Sequence, residues 1–243
     1  MVMMTEQPDP DEFPGSPIQA DSPFGLVKRD AGVSAKAYDQ ISTALMRGRL
    51  RAGQRLVLRS LAGELGVSVT PVRDALQRLE SEGAIVLDAR GIAHVPTLTP
   101  ERYAEIMDLR IELEGRAAAR AASIASTGAV TRLERIHASL AAAKARNDID
   151  TTLAENERFH FGVFALAEMP VLYRIMQTLW MQCGPTLRLL YVAPDHRPPE
   201  HHPHCAVLAA LRERAPEQAR RALQSDLEHG AAIIRNQIAH PPS

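Results

Sequence analysis

The sequence predicts a mainly α-helical protein that divides into two domains. Its 243 residues are enough chain to bury two modest cores. Ala, Leu, Arg and Glu, which favour helices, are abundant, and β-branched residues form few runs. Aromatic residues make up only 4% of the chain, so the cores must consist mostly of Leu, Ile, Val and Ala. This composition argues against a carbohydrate-binding or aromatic-cage protein.

The N-terminal segment, residues 1–33, is predicted to be a flexible tail. It combines Pro, Gly, Asp and Ser with little apolar periodicity, and its six acidic and two basic side chains give a net charge of −4. It is acidic where a signal peptide would be basic and then apolar, and no apolar run is long enough to span a bilayer. The two cysteines, Cys183 and Cys205, provide no disulfide framework. These features predict a cytoplasmic protein.

The next segment, residues 34–98, predicts a small domain of three helices and a hairpin. The predicted elements are helices over 37–49, 60–65 and 70–82 and strands over 84–87 and 92–95. Gly66 ends the second helix, and Asp88-Ala89-Arg90-Gly91 forms the hairpin turn. This order of elements is that of a winged helix-turn-helix. The segment has nine basic and six acidic side chains, a net charge of +3, which supports DNA binding.

The third helix of this domain has one apolar and one polar side. An N-cap candidate, Ser68, and a proline in the first turn, Pro71, mark where it starts. The apolar stripe consists of Val72, Leu76 and Leu79, and the opposite side carries Thr70, Arg73 and Gln77. The spacing therefore predicts that the polar side is free to enter a DNA groove.

The remaining residues, 99–243, predict a larger helical domain. Thr99-Pro100 opens a helical region that continues nearly to the C-terminus. Interruptions are expected around Gly128, at Met169-Pro170 and over residues 194–203. The periods of solenoid repeats are absent from the sequence.

Residues 58–95 resemble the DNA-binding domain of the GntR family. The run LRSLAGELGVSVTPVRDALQRLESEGAI, followed by ARGIAHV, places Leu65-Gly66-Val67-Ser68, Thr70-Pro71-Val72-Arg73 and Arg90-Gly91 in the family's pattern. One position departs from it, because Val69 stands where the family usually has Arg. A DNA contact from that position is therefore missing or comes from elsewhere.

The C-terminal half is similar to the effector domain of FadR-type regulators, called FCD. The similarity is carried by Leu109-Arg110 with Leu113-Glu114, by Asn156-Glu157-Arg158-Phe159-His160, and by His204 with Val207-Leu208 and Asp226-Leu227. It implies an all-helical antiparallel bundle, a homodimer and an effector pocket inside the bundle. The chain is thus predicted to be a ligand-responsive transcription regulator that represses, with activation as the alternative.

The resemblance and the helix-turn-helix geometry together assign the predicted DNA contacts. The second helix of the unit enters the major groove, where Arg bonds guanine and Ser or Thr bonds phosphate. The free amides at that helix's N-terminus favour phosphate. The predicted contacts are Arg59, Ser68, Thr70, Arg73, Gln77, Arg90 and Gly91.

The FCD resemblance also implies a divalent metal site, at Asn156, His160, His204 and Asp226. Asn156 and His160 are one helical turn apart and share a helix face. The family more often has Asp where this chain has Asn156, and His where it has Asp226. The set therefore keeps a single carboxylate, and its histidines suit Zn, Ni or Mn. Direct hydrogen bonding to a ligand, without metal, is the alternative use of the four side chains.

A small carboxylate is the predicted effector. Arg110, which recurs in the family, would pair with it bidentately, or would form a salt bridge inside the domain. Gln177 and Arg188 are further predicted pocket residues, whereas Trp180 is expected in the core.

Two other functions are compatible with the sequence, and several polar residues are expected to have no functional role. A hydrolase would use a metal on His160, His204 and Asp226 with Glu157 as base, and the other alternative is a scaffold without ligand. Glu155 and Glu157 are otherwise expected on the surface. The adjacent His201 and His202 are interpreted as incidental, and His229 as solvated or as a substitute ligand.

Overall fold

The computed structural model describes residues 31–192 and 202–240, which form a helix-turn-helix domain packed on a helical bundle. The first domain contains α1 (Ala31–Met46), β1 (Arg55–Leu56), α2 (Leu58–Leu65), α3 (Val69–Ser81), β2 (Val86–Leu87) and β3 (Ala93–His94). The three strands form an antiparallel sheet in the order β1-β3-β2. A mainly helical fold with a winged helix-turn-helix is therefore confirmed.

The second domain is all-helical. It contains α4 (Pro100–Ile124), α5 (Thr127–Ala145), α6 (Ile149–Leu166), α7 (Pro170–Cys183), a 3-10 turn (Gly184–Thr186), α8 (Leu189–Val192), α9 (His204–Arg212) and α10 (Pro216–Ala239). Helix α4 packs along α10, and α5 packs along α6. Within the described residues, no helix combines the length and apolar character needed to cross a membrane.

Local sequence explains where several helices begin and end. The Thr99 hydroxyl accepts a hydrogen bond from the amide of Arg102 at 3.2 Å, which caps α4 where Thr99-Pro100 was predicted to open it. Helix α7 begins at Pro170, also as predicted. Gly66 ends α2 in the left-handed conformation, with φ of 65°, which glycine adopts without strain.

Some predicted boundaries were wrong. Helix α1 begins at Ala31 and not at residue 37, because its first turns bury few side chains and so show no apolar period. The break predicted around Gly128 falls at residues 125–126, where Ser126 caps α5, whereas the breaks before α6 and before α10 were not predicted. Strand β1 was not predicted, since two residues are too short to show a period. Most of the predicted tail, residues 1–30, and most of the predicted break at 194–203 lie outside the described residues.

The two domains share one continuous apolar core. Leu45 and Met46 at the end of α1 belong to the same buried cluster as Trp180 and Met181 of α7. Polar contacts cross the same boundary: the Gln182 side-chain amide donates to the carbonyl of Glu82 at 3.0 Å. The helix-turn-helix domain is therefore packed directly on α7 of the helical bundle.

Candidate DNA-binding surface and effector cavity

Helix α3 presents its polar side outward. Val72, Leu76 and Leu79 are buried, while Arg73 and Gln77 on the opposite side are exposed, as the helical period predicted. Arg73 and Gln77 line a groove between α2, α3 and the sheet, together with Arg59. Arg55 lines the same groove from β1 and was not predicted, although it belongs to the basic segment.

The N-terminus of α3 and the tip of the wing extend this surface. Ser68 precedes α3 in an extended conformation without a side-chain cap, and both it and Thr70 are exposed. The wing turn is held by the Asp88 carboxylate, which accepts hydrogen bonds from the backbone amides of Arg90 at 2.8 Å and Ile92 at 2.9 Å. Gly91 has φ of 72°, and the turn leaves the Arg90 side chain exposed.

The arginines of this surface are unpaired, unlike a neighbour on the same helix. Arg78 lies 3.1 Å from the Glu82 carboxylate and stacks over the ring of Tyr38. Among the described residues, Arg59, Arg73 and Arg90 have no ion-pair partner. Together with Arg55, which is also unpaired in the described part of the chain, these arginines provide an anion-binding surface around α3 that is suited to the phosphates and base edges of a DNA groove.

The second domain contains a small cavity, of about 80 Å³, between α4, α5, α6, α8 and α10. Asn156, His160 and Asp226 line it, as do Lys144 of α5 and His202, which precedes α9. Apolar side chains, including Met107, Leu187 and Ile234, form much of the remaining wall. A mostly apolar wall with a few convergent polar groups is typical of a small-molecule site.

His160 is held between two carboxylates. Its Nδ1 lies 2.8 Å from Oε2 of Glu114, and its Nε2 lies 3.3 Å from Oδ2 of Asp226. Burial by itself lowers the pKa of His160, but the charge of Glu114 and hydrogen bonds with Asp226 and Glu114 outweigh it and raise the pKa to about 9. At neutral pH the imidazole is therefore protonated and bridges the two acids.

His204 is fully buried, and its ring nitrogens lack hydrogen bonds with the described residues. Its ring stacks on Phe159 at 3.7 Å, and neither ring nitrogen has a hydrogen-bond partner among the described residues. Its Nε2 lies 3.5 Å from Oδ2 of Asp226. Burial lowers the pKa of His204 to about 4, so this ring is neutral. His204 and His160 in turn hold the pKa of Asp226 below its usual range, against the effect of burial.

His160, His204 and Asp226 together have the geometry of a metal site. One ligand atom from each lies within 4.8 Å of the other two. Asn156, the fourth predicted ligand, lines the same cavity one helical turn before His160. Two imidazoles and a carboxylate are a donor set that Zn²⁺ accepts, and the unsatisfied nitrogens of His204 fit such a role.

Comparisons with known proteins identify the chain. Residues 33–95 match the model of the bacterial regulatory proteins of the gntR family, and residues 105–229 match the FCD domain. The chain belongs to the GntR family, with an FCD effector domain of the FadR-like subfamily. Its regulators bind DNA and are not enzymes, so the hydrolase alternative is set aside.

Individual GntR-family proteins are similar over most of the chain. The HTH-type transcriptional regulator McbR of Escherichia coli K12 is 29% identical over 86% of this chain and 96% of its own length. The solved structure of E. coli McbR/YncC has a TM-score of 0.79 at 28% identity, covering 87% of this chain and 99% of its own. A putative GntR regulator from Rhodococcus sp. RHA1, with a TM-score of 0.62 at 20% identity, has the same fold over 87% of this chain and all of its own.

In the FCD domain Arg110 faces the cavity but is paired within the protein. It is almost fully buried, and two of its nitrogens lie 2.8 Å from Oε1 of Glu114. The same oxygen accepts a hydrogen bond from the indole nitrogen of Trp180 at 3.0 Å. Glu114 thus joins Arg110 to His160, and the sequence assigned no role to it although Leu113-Glu114 belongs to the FCD pattern. The salt-bridge interpretation of Arg110 is the one that the geometry supports.

Two other predicted effector residues lie elsewhere in the FCD domain. The described residues that line the cavity do not include Gln177 or Arg188. Gln177 lies half-buried on α7, and the Arg188 guanidinium pairs with Asp150. Lys144 is the half-buried cation that the cavity contains instead, and no sequence pattern singled it out.

Some residues that were predicted to lie on the surface or to be incidental are placed differently by the structure. Glu155 and Glu157 are buried and not on the surface; Glu157 lies 3.1 Å from Arg47 of α1, and Glu155 pairs with Arg158 on its own helix. His202 lines the cavity and is half-buried, whereas His201 lies outside the described residues. His229 also lines the cavity but is exposed.

Proposed function

We propose that the chain is a homodimeric, cytoplasmic repressor whose operator binding is controlled by a small carboxylate in the FCD cavity. DNA contact would come from Arg59, Ser68, Thr70, Arg73, Gln77, Arg90 and Gly91. Two features of the same chain support the proposal. The first domain has a groove lined by arginines that form no ion pairs with the described residues, and the second has a cavity where imidazole, carboxylate and ammonium groups converge. Repression requires only that the bound dimer cover a promoter, which makes it the simpler outcome.

The cavity residues fit a divalent metal as part of the effector site. Asn156, His160, His204 and Asp226 would hold Zn, Ni or Mn, and Glu114 would orient His160 through its other ring nitrogen, as carboxylates commonly do behind histidine ligands. A bound metal would supply a Lewis-acidic anchor for a carboxylate. Lys144, on the wall of the same cavity, would neutralise the remaining negative charge.

Operator binding is tested by comparing two arginines of α3. Arg73→Ala removes an unpaired groove cation and is expected to weaken operator affinity by about 1 to 3 kcal/mol. Arg78→Ala is the matched control, because Arg78 is also exposed on α3 but contacts Glu82 and Tyr38 and does not line the groove. Both variants are titrated against operator DNA at one salt concentration. Equal affinity for Arg73→Ala and the unmodified protein would remove Arg73 from the DNA site.

Effector binding is tested by thermal unfolding with acetate, malate and citrate, each with and without zinc. A carboxylate that binds only the folded chain raises stability by about 3 kcal/mol at a hundredfold excess over its Kd. The Lys144→Met variant is expected to lose most of that increase, because it keeps the aliphatic stem and removes the charge. An undiminished increase in Lys144→Met, or none in the unmodified protein, would contradict the carboxylate assignment.

The dimer is proposed from the resemblance and from an unfilled face of α7. Val171 and Ile175, one helical turn apart, are exposed to 63% and 44%. Two copies would present two α3 helices to a palindromic operator with half-sites about one helical turn apart. Light scattering on the free protein and footprinting on the operator test this arrangement together.

A further inference from the structure

Three imidazoles meet in the FCD domain, and one of them, His202, lines the cavity. His137 lies on α5, His202 just before α9, and His204 at the start of α9. One ring nitrogen of each lies within 4.8 Å of a nitrogen of the other two. The ring centroids are 4.3 Å apart for His202 and His204, 5.2 Å for His137 and His202, and 5.6 Å for His137 and His204. Only His204 is shared with the metal set proposed above.

Each of these rings has a nitrogen that no described residue engages. His137 contacts the Cys205 thiol through Nε2 at 3.4 Å, which leaves its buried Nδ1 without a partner. Nδ1 of His202 accepts a hydrogen bond from the backbone amide of His204 at 3.3 Å, which leaves Nε2 of His202 available. Both nitrogens of the fully buried His204 lack a hydrogen bond. Holding one nitrogen and leaving the other free is the usual arrangement of histidine ligands.

Three of the ring nitrogens are buried without a hydrogen-bond partner among the described residues: Nδ1 of His137 and both nitrogens of His204. Buried imidazole nitrogens without a partner are costly, and an ion that coordinates them would remove that cost.

We propose that His137, His202 and His204 form a second metal site, specific for a borderline ion such as Zn²⁺. A set of three imidazole ligands suits Zn²⁺ and disfavours the harder Mn²⁺, which the set containing Asp226 accepts. The site goes beyond the proposed function, since it requires neither His160 nor Asp226. The two sets can be separated by mutation because each has ligands that the other lacks.

The test measures zinc and manganese binding to untagged, full-length protein by equilibrium dialysis. The first set is Asn156, His160, His204 and Asp226, and the second is His137, His202 and His204. The Asp226→Asn and His160→Gln variants disrupt the first set, and the His137→Gln and His202→Gln variants disrupt the second. Circular dichroism shows whether each variant is folded, and the two variants for each set protect the test if one fails to fold. His137 and His202 are only half-buried, so their replacement is expected to leave the fold intact.

In the Asp226→Asn background, one zinc per chain should remain bound, and adding His137→Gln should weaken it by at least about 100-fold. Manganese binding should respond to Asp226→Asn but not to His137→Gln. The second site is overturned if folded Asp226→Asn and His160→Gln both bind no zinc, or if His137→Gln has no effect in either background. Failure of the first set gives a different result: His137→Gln then binds neither metal while Asp226→Asn still binds zinc.

Discussion

At the scale of single residues, His160 is where metal binding and protonation meet. Its pKa is raised to about 9, whereas His204, with a pKa lowered to about 4, is neutral and Asp226 is ionised. A metal that binds the first set at pH 7 must therefore displace one proton, the one on His160. We predict that zinc affinity of the His137→Gln variant, in which only the first set is complete, rises about tenfold per pH unit between pH 7 and 9.

The Glu114→Gln variant is the control for this pH dependence. Glu114 raises the pKa of His160, so its neutralisation should lower that pKa and end the pH dependence at a lower pH. The measurement is a series of zinc titrations from pH 6.5 to 8.5, in which the chelator competition is recalibrated at each pH. A zinc affinity that does not change with pH in the Glu114-containing protein would show that His160 is not a ligand.

At the scale of elements, the close approach of the 3-10 turn to α1 determines how the two domains meet. A Cβ on Gly184 would lie 2.3 Å from the carbonyl oxygen of Leu45 and 2.8 Å from Cα of Met46. The φ of Gly184 is −51°, so alanine would fit its backbone conformation, and the only obstacle would be the clash of its Cβ with α1. We predict that Gly184→Ala lowers the free energy of unfolding by about 1 to 3 kcal/mol through overpacking.

The matched variant is Gly128→Ala, since a Cβ there meets nothing within 4 Å and the residue lies in α5. It is expected to be neutral or slightly stabilising. Urea unfolding of the two variants gives both free energies. If Gly184→Ala matches Gly128→Ala, the contact between α1 and the 3-10 turn is looser than the distances indicate.

Elements with a strong local pattern were predicted well, and elements defined by distant contacts were not. Helix α3 was predicted within one residue at each end because Val72, Leu76 and Leu79 repeat at helical spacing over a buried face. The candidate metal set of Asn156, His160, His204 and Asp226 was predicted from the FCD resemblance and not from spacing. His137 and His202 had no such signal, because they are 65 positions apart in the sequence and meet only when α5 packs beside the segment before α9.

At the scale of the whole molecule, α6 connects the FCD cavity with the DNA-binding domain. Asn156 and His160 point to the cavity from α6, while Glu157 of the same helix lies 3.1 Å from Arg47 of α1. A ligand that shifts α6 would therefore shift α1, and with it the helix-turn-helix packed on α1. Coupling of this kind requires that the two conformations differ in ligand affinity, and it is reciprocal between ligands.

We predict that Glu157→Gln weakens this coupling without abolishing either binding event. Operator affinity is measured by fluorescence anisotropy with and without zinc, and the coupling free energy in the unmodified protein is expected to be about 1 to 3 kcal/mol. Glu157→Gln should reduce it by at least half, because the charged contact between α6 and α1 is lost. Glu155→Gln is the control, since Glu155 pairs with Arg158 of the same helix. If both variants keep the full zinc effect, the contact of Glu157 with Arg47 does not carry the coupling, and Gly184→Ala then tests the contact of the 3-10 turn with α1 as another route.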